Sequence, residues 1–201
     1  AVLLFAEWVA ALFATELITV SYDIKTYLLR RYRRRATVDV PLVTPVRLLR
    51  PRIIARKHGL FGNDFVLYAG RFVPEKRIEW LIEAFRSLNT GTTRLVLAGG
   101  AAGNGAYERR LRALSFGDPR IVFVGWVFGE EKEELLANCK AFVLPSSLEG
   151  NPTVLHEVPP HIPILVADTI AKTIGERRPY IYPLNSKEDF IRGVRRILGR
   201  P

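Results

Sequence analysis

The chain of 201 residues has no methionine, one cysteine, three histidines and no long hydrophobic run free of charge. A single thiol, Cys139, cannot form an internal disulfide. No second cysteine or histidine stands at ligand spacing from it, which excludes a Cys/His zinc framework. Within Glu133-Glu134-Leu135-Leu136-Ala137-Asn138-Cys139, the last turns of an apparent helix, it reads as a small buried hydrophobe. The first twenty residues are mostly apolar but carry Glu7 and Glu16. Each carboxylate near a bilayer centre costs about 2.5 to 3.5 kcal/mol, which argues against a spanning helix. No basic segment followed by a small-residue cleavage site fits a signal peptide. What remains is a buried or interface helix running into a strand, with an amphipathic membrane-surface helix as the alternative. Hydrophobic residues at 48% and charged residues at 25% make a globular composition and exclude a disordered tail.

The net charge of +10 is unevenly placed. Residues 25–57 hold eleven basic residues (Lys25, Arg30, Arg31, Arg33, Arg34, Arg35, Arg47, Arg50, Arg52, Arg56 and Lys57) and one acid, Asp39, leaving nineteen of each sign elsewhere. Such a block attracts an anionic membrane surface or an acidic protein face, and the competing reading is a solvated face that aids solubility. No nucleic-acid recognition motif accompanies the charge, so nucleic acid is not an expected partner.

Short β-branched runs alternate with helical stretches, which predicts an α/β fold with a parallel, Rossmann-like sheet and helices on both faces. Candidate strands are 17–20, 38–40, 65–69, 94–98, 121–124, 141–144, 164–167 and 180–182. Several are continuous apolar runs, which predicts burial on both faces. Ile78, Leu81, Ile82, Phe85 and Leu88 mark a helix with Pro74 in its first turn. Phe190, Ile191, Val194, Ile197 and Leu198 mark another, with Ser186 and Asp189 spaced as a capping box. Residues 41–64, with three prolines and two glycines, read as a linker between a short unit over 1–40 and a compact domain over 65–201.

Ligands in open α/β sheets bind beyond the carboxyl ends of the strands, so the residues after each strand carry the functional reading. After 65–69 comes Gly70-Arg71-Phe72-Val73-Pro74-Glu75-Lys76, where glycine permits close backbone approach and two cations could converge on phosphate. After 94–98 comes Gly99-Gly100-Ala101-Ala102-Gly103-Asn104-Gly105. It matches a dinucleotide fingerprint only with Ala98 in the first position, and the next strand ends in Gly125 rather than an acid; a tight turn is the favoured use. After 141–144 the loop to Glu149-Gly150-Asn151-Pro152-Thr153 opens a helix, with Val154 and Glu157 in its first turns. Backbone N–H groups there suit an anion, and two carboxylates suit ligands rich in hydroxyls, because carboxylates only accept hydrogen bonds. After 164–167, Asp168-Thr169-Ile170 reads as an ordinary strand-end turn.

Taken in this order, the segments resemble the retaining GT-B glycosyltransferases of family 4 over residues 60–200. The family's G-R-x-x-x-E-K stands as Gly70 to Lys76. Its strand ending in paired glycines stands as Leu95-Val96-Leu97-Ala98-Gly99-Gly100, and its F-x-G as Phe123-Val124-Gly125. Its E-x7-E, with E-G-x-P-T inside, runs from Glu149 to Glu157. The resemblance implies transfer of a hexose from a UDP-, GDP- or ADP-sugar to a sugar or lipid-linked acceptor, with retention, no prosthetic group and no metal. Arg71 and Lys76 would hold the diphosphate, Glu149 the donor-sugar hydroxyls and Glu157 the ribose. Gly70, Gly150 and the backbone of Asn151, Pro152, Thr153 and Val154 would border sugar and phosphate. The expected location is cytoplasmic, peripheral to the inner membrane face where residues 25–57 dock, and a homo-oligomer is a further expected partner. The alternative is a catalytically silent nucleotide-binding module with a basic docking arm.

Two departures qualify these expectations. Glu157 is followed by Val158-Pro159-Pro160 where the family continues its helix, so the prolines should end that helix within a residue or two. Only about sixty residues precede the donor-type domain. With methionine absent even at residue 1, the expectation is a fragment, an engineered form or a natural minimal version.

Overall fold

The computed structural model describes residues 2–20, 22–39, 46–101, 103–172 and 179–199. They form two compact units, Ala1–Val43 with Glu149–Thr153, and Thr44–Leu148 with Val154–Pro201. In the first, α1 (Val2–Phe13), β1 (Ile18–Thr19), α2 (Tyr22–Tyr32) and β2 (Thr37–Val38) follow in order, with β1 and β2 paired in parallel. Val40 of the expected strand 38–40 lies outside the described residues. The two helices are joined by a carboxylate: Tyr27 and Tyr32 each donate to Glu7 Oε1 at 2.8 Å. Those hydrogen bonds hold Glu7 below the usual carboxylate range and push the Tyr32 phenol up to about 12.

The second unit carries α3 (Ile53–His58), β3 (Phe65–Ala69), α4 (Ile78–Ser87), β4 (Arg94–Ala98), α5 (Ala106–Ser115) and β5 (Ile121–Gly125). It continues with α6 (Gly129–Asn138), β6 (Ala141–Leu144), α7 (Thr153–Glu157), β7 (Ile164–Ala167), α8 (Asp168–Ala171), β8 (Tyr180–Tyr182) and α9 (Lys187–Ile197). Six parallel strands run in the order β5-β4-β3-β6-β7-β8. The sheet starts in the middle at β3, winds outward to β5, then returns to β6 on the other side of β3. This is the doubly wound order with its switch point between β3 and β6. The apolar runs behave as expected: β6 and β7 are buried along their whole length, and β3 in its first four residues. Among the described residues no helix is long and apolar enough to cross a membrane.

Local structure follows the sequence signals with two corrections. Pro74 opens a separate 3-10 turn, Pro74–Lys76, and Arg77 at φ 49° breaks it from α4. Arg77 is held there by its guanidinium, which donates to Leu184 O and Asn185 Oδ1 and lies 4.6 Å from the Trp80 ring. At α9, the Ser186 hydroxyl accepts the Asp189 N–H at 3.1 Å and lies 2.6 Å from the Asp189 carboxylate. The cap therefore forms, but the reciprocal bond runs to the serine side chain rather than to its backbone.

The stretch 41–64, expected as a linker, contains α3, and Ile54 and Leu60 are fully buried in the core of the second unit. Its helical period is too short to show in sequence, because α3 is stabilised from eighty residues away. Arg52 provides no side-chain cap. Instead the fully buried Glu134 of α6 accepts the Ile53 and Ile54 N–H groups on Oε2 at 2.7 and 3.0 Å, and Asn138 donates to Leu49 O at 2.8 Å. Around this cap, Arg47 pairs with Glu133, Arg52 with Glu130, and Lys57 and His58 with Glu131. Burial raises the Glu131 pKa, but the Lys57 and His58 hydrogen bonds win and leave it below the usual range. Three cations of the basic block are thus engaged by one acidic helix, so the block is no uniform field for an external anion.

Beyond the strand ends, backbone hydrogen bonds join three loops. Gly70 N–H donates to Ala98 O at 3.0 Å, Phe72 N–H to Gly100 O at 2.8 Å and Gly99 N–H to Gly125 O at 2.7 Å. Gly99, at φ +130°, lies so close to β3 that an added Cβ would sit 1.9 Å from the Gly70 carbonyl oxygen.

Two substitutions test this account. Glu134→Ala leaves the buried Ile54 N–H and the part-buried Ile53 N–H without an acceptor and should lower stability by about 2 to 3 kcal/mol, read as a reduced urea midpoint at unchanged slope. Gly99→Ala should cost about 3 kcal/mol or prevent folding, because the contact is backbone against backbone; a thermal midpoint within 2 °C of the parent, with 2 °C taken as roughly the smallest shift of note, would contradict the close approach.

Candidate functional site

The segment 70–76 after β3 and the loop after β6 leave the sheet on either side of the switch point. Ser147 ties them, donating from both its N–H (2.8 Å) and its hydroxyl (3.0 Å) to Glu75 O. The Tyr182 hydroxyl donates to Pro145 O at 3.0 Å from the far side, and burial raises its pKa. The loop conformation is therefore set by hydrogen bonds from two other strand ends. Arg71 is exposed, Lys76 half-buried, and Phe72 is buried between them as the anchor of the segment.

Between the ends of β3, β4 and β5 lies a pocket of about 180 Å³. Ala69, Gly70, Ala98 and Gly99 form its small-residue floor; Trp126, Val127, Phe128, Lys132 and Val154 form its walls. The glycines make the floor flat, and Trp126 lies directly over Gly100, where a Cβ would meet the indole nitrogen at 2.6 Å. Trp126 and Phe128 stack with ring centroids 6.4 Å apart and an interplanar angle of 13°. A flat, apolar slot with few polar side chains suits an aromatic or planar group.

At the pocket wall Lys132 meets Glu157. Its ammonium stands 2.8 Å from Oε1 and 2.6 Å from Oε2. The helix α7 does end at Glu157, as the prolines predict, although Val158 still donates to Val154 O at 3.1 Å.

The sequence-derived candidates fall into two groups. Gly70, Arg71, Lys76, Val154 and Glu157 belong to the α/β unit, with Gly70 and Val154 lining the pocket. Glu149, Gly150, Asn151, Pro152 and Thr153 group with the N-terminal unit, where Gly150 packs against Val20 and Ile24. Of the glycine loop, residues 99–101 and 103–105 are described, and Gly99, Gly103 and Gly105 have positive φ. Glu108 of α5 accepts the Ala101 N–H at 2.8 Å, and the Arg112 hydrogen bond keeps that carboxylate below its usual pKa. At the end of β7, Asp168 Oδ1 accepts the Thr169 N–H at 2.7 Å and opens α8. Cys139 is buried, with its thiol pushed up to about 12 by desolvation, and is inert.

Sequence reasoning missed Ser147, Trp126 and Lys132. Only Lys132 left a usable signal. In Gly129-Glu130-Glu131-Lys132-Glu133-Glu134, helical geometry sets the lysine opposite the centre of the Glu130, Glu131 and Glu134 face.

The family model described as "Glycosyl transferases group 1" matches residues 63–200. The uncharacterized glycosyltransferase YqgM of Bacillus subtilis (strain 168) is 34% identical over 90 residues, covering 44% of this chain and 25% of that protein. The sucrose-phosphate synthase of Thermosynechococcus elongatus is similar in structure, with a TM-score of 0.78 and 26% identity over 98% of this chain and 52% of its own. Anabaena HepE in complex with UDP and glucose gives a TM-score of 0.77 at 19% identity over 94% of this chain and 55% of its own, a likeness of fold alone. The chain thus spans about half the length of these solved relatives, and its match covers a quarter of the curated one. The sheet is the Rossmann-like half of a GT-B fold. With the matched stretch taking in all six strands and the pocket between their ends, the chain belongs to the group 1 glycosyl transferases.

Proposed function

We infer that this chain is the donor-binding part of a retaining, metal-independent hexosyltransferase of family 4, using a nucleotide-diphosphate sugar. The observation that carries this reading is the flat pocket at the ends of β3, β4 and β5, beside the switch point, with the cationic segment 70–76 on one side and Glu157 on another. Arg71 and Lys76 supply the counter-charge for a diphosphate, Arg71 as a fork and Lys76 as a point charge. The apolar slot takes the nucleobase, and Glu157 accepts from the ribose hydroxyls. By its motif, Glu149 accepts from the hydroxyls of the donor sugar. Stabilising the leaving diphosphate while the acceptor attacks from the same face gives retention. The UDP and glucose bound to HepE support a nucleotide-sugar as the ligand class.

Calorimetry with UDP, GDP, ADP and their sugars tests the reading. One of the three nucleotides should bind, and Arg71→Ala and Lys76→Ala should each weaken it by about 10- to 100-fold, as for loss of one charge-assisted hydrogen bond. No binding at millimolar ligand sinks the proposal. Glu149→Ala should leave affinity for the nucleotide diphosphate within about twofold while abolishing donor hydrolysis or transfer, the pattern of a group used in the reaction rather than in uniform binding; unchanged turnover would remove Glu149 from the reaction.

A further inference from the structure

We propose that Lys132 is a positioning residue for Glu157, replacing the helical continuation that Pro159 and Pro160 remove, and that it thereby sets the preference of the site for ribonucleotides over deoxyribonucleotides. The proposal rests on the donor-site reading above.

A carboxylate on the last residue of a five-residue helix is poorly fixed by its own backbone, since the turn that would follow is missing. Glu157 is nevertheless held. Both carboxylate oxygens lie within 2.8 Å of the Lys132 ammonium. Among the described residues the buried Oε2 accepts no hydrogen bond, so the ammonium 2.6 Å away meets it as a charge while its hydrogen bond goes to Oε1. A buried carboxylate oxygen without that cation would carry a desolvation penalty and turn outward. The pair is partly shielded, with the side chains 34% and 21% exposed, so it is screened less than a surface pair.

Lys132 can do this because α6 is divided into two faces. Glu130, Glu131 and Glu134 point to α3 and bind Arg52, Lys57, His58 and the α3 N–H groups. The lysine on the opposite side is thereby kept clear of these three acids on its own helix and reaches α7. It also lines the pocket with Val154, so the carboxylate it holds stands at the edge of the slot. An ionised, oriented carboxylate accepts from both hydroxyls of a ribose. It has less to offer a sugar lacking the 2′-hydroxyl.

The experiment compares calorimetric affinities of the preferred nucleoside diphosphate and its 2′-deoxy form for the intact chain and for Lys132→Met and Lys132→Arg. A urea double-mutant cycle of Lys132→Met with Glu157→Gln runs alongside. The parent should prefer the ribonucleotide by about tenfold, the worth of one hydrogen bond to a charged group. Lys132→Met should weaken the ribonucleotide more than its 2′-deoxy form and so bring that ratio near one, and Lys132→Arg should restore it. The cycle should show coupling between the two residues. If Lys132→Met weakens both nucleotides equally, the lysine touches the phosphates directly and the proposal fails. If the ratio is unchanged while stability falls, the pair is structural only and the proposal fails. If the parent binds no nucleotide although the cycle shows coupling, the donor-site reading fails and takes this proposal with it.

Discussion

The crevice depends on how closely the carboxyl ends of β3 and β4 approach each other. Gly99 brings its backbone against the Gly70 carbonyl, a contact that no side chain could survive, and the neighbouring bonds from Gly70, Phe72 and Gly99 hold the three loops beyond the strands as one layer. Because that layer is made of backbone and small residues, the pocket floor is flat and the cationic segment 70–76 starts from a fixed position. Ser147 then fixes the loop after β6 to the same segment. The switch point of the sheet supplies the gap, and these contacts give it a shape.

The second organising element is α6. One helix provides a cap for α3, counter-charges for the basic stretch before it and a lysine for the pocket, each from a different part of its surface. Glu134 is the most constrained member, being fully buried with two backbone donors on one oxygen. The charge imbalance of the chain is in this sense partly architectural: Arg47, Arg52 and Lys57 attach α3 and its lead-in to the core.

Much of this was legible without coordinates. The strands 65–69, 94–98, 141–144, 164–167 and 180–182 were readable to the residue because each is a short apolar run bounded by turn signals, and the motifs at 70–76, 99–100 and 149–157 follow three of them. The Ser186 cap was readable because its partners are three residues apart. In contrast, α3 was read as linker, and the break at Arg77 was read as a continuous helix. In both cases the stabilising groups are distant in sequence: Glu134 for α3, and Leu184 and Asn185 for Arg77.

The sequence by itself determined the class of sheet, the positions of its strands and a glycosyl transferase of group 1, since those rest on local periodicity and on residues within one loop of each other. The tertiary structure alone decided which side chains meet: Glu157 with Lys132, Ser147 with Glu75, Glu134 with the start of α3. The division has one physical reason. Backbone conformation is biased by neighbours along the chain, whereas a carboxylate's partner is chosen by packing, which brings together residues that the sequence keeps 25 to 81 positions apart.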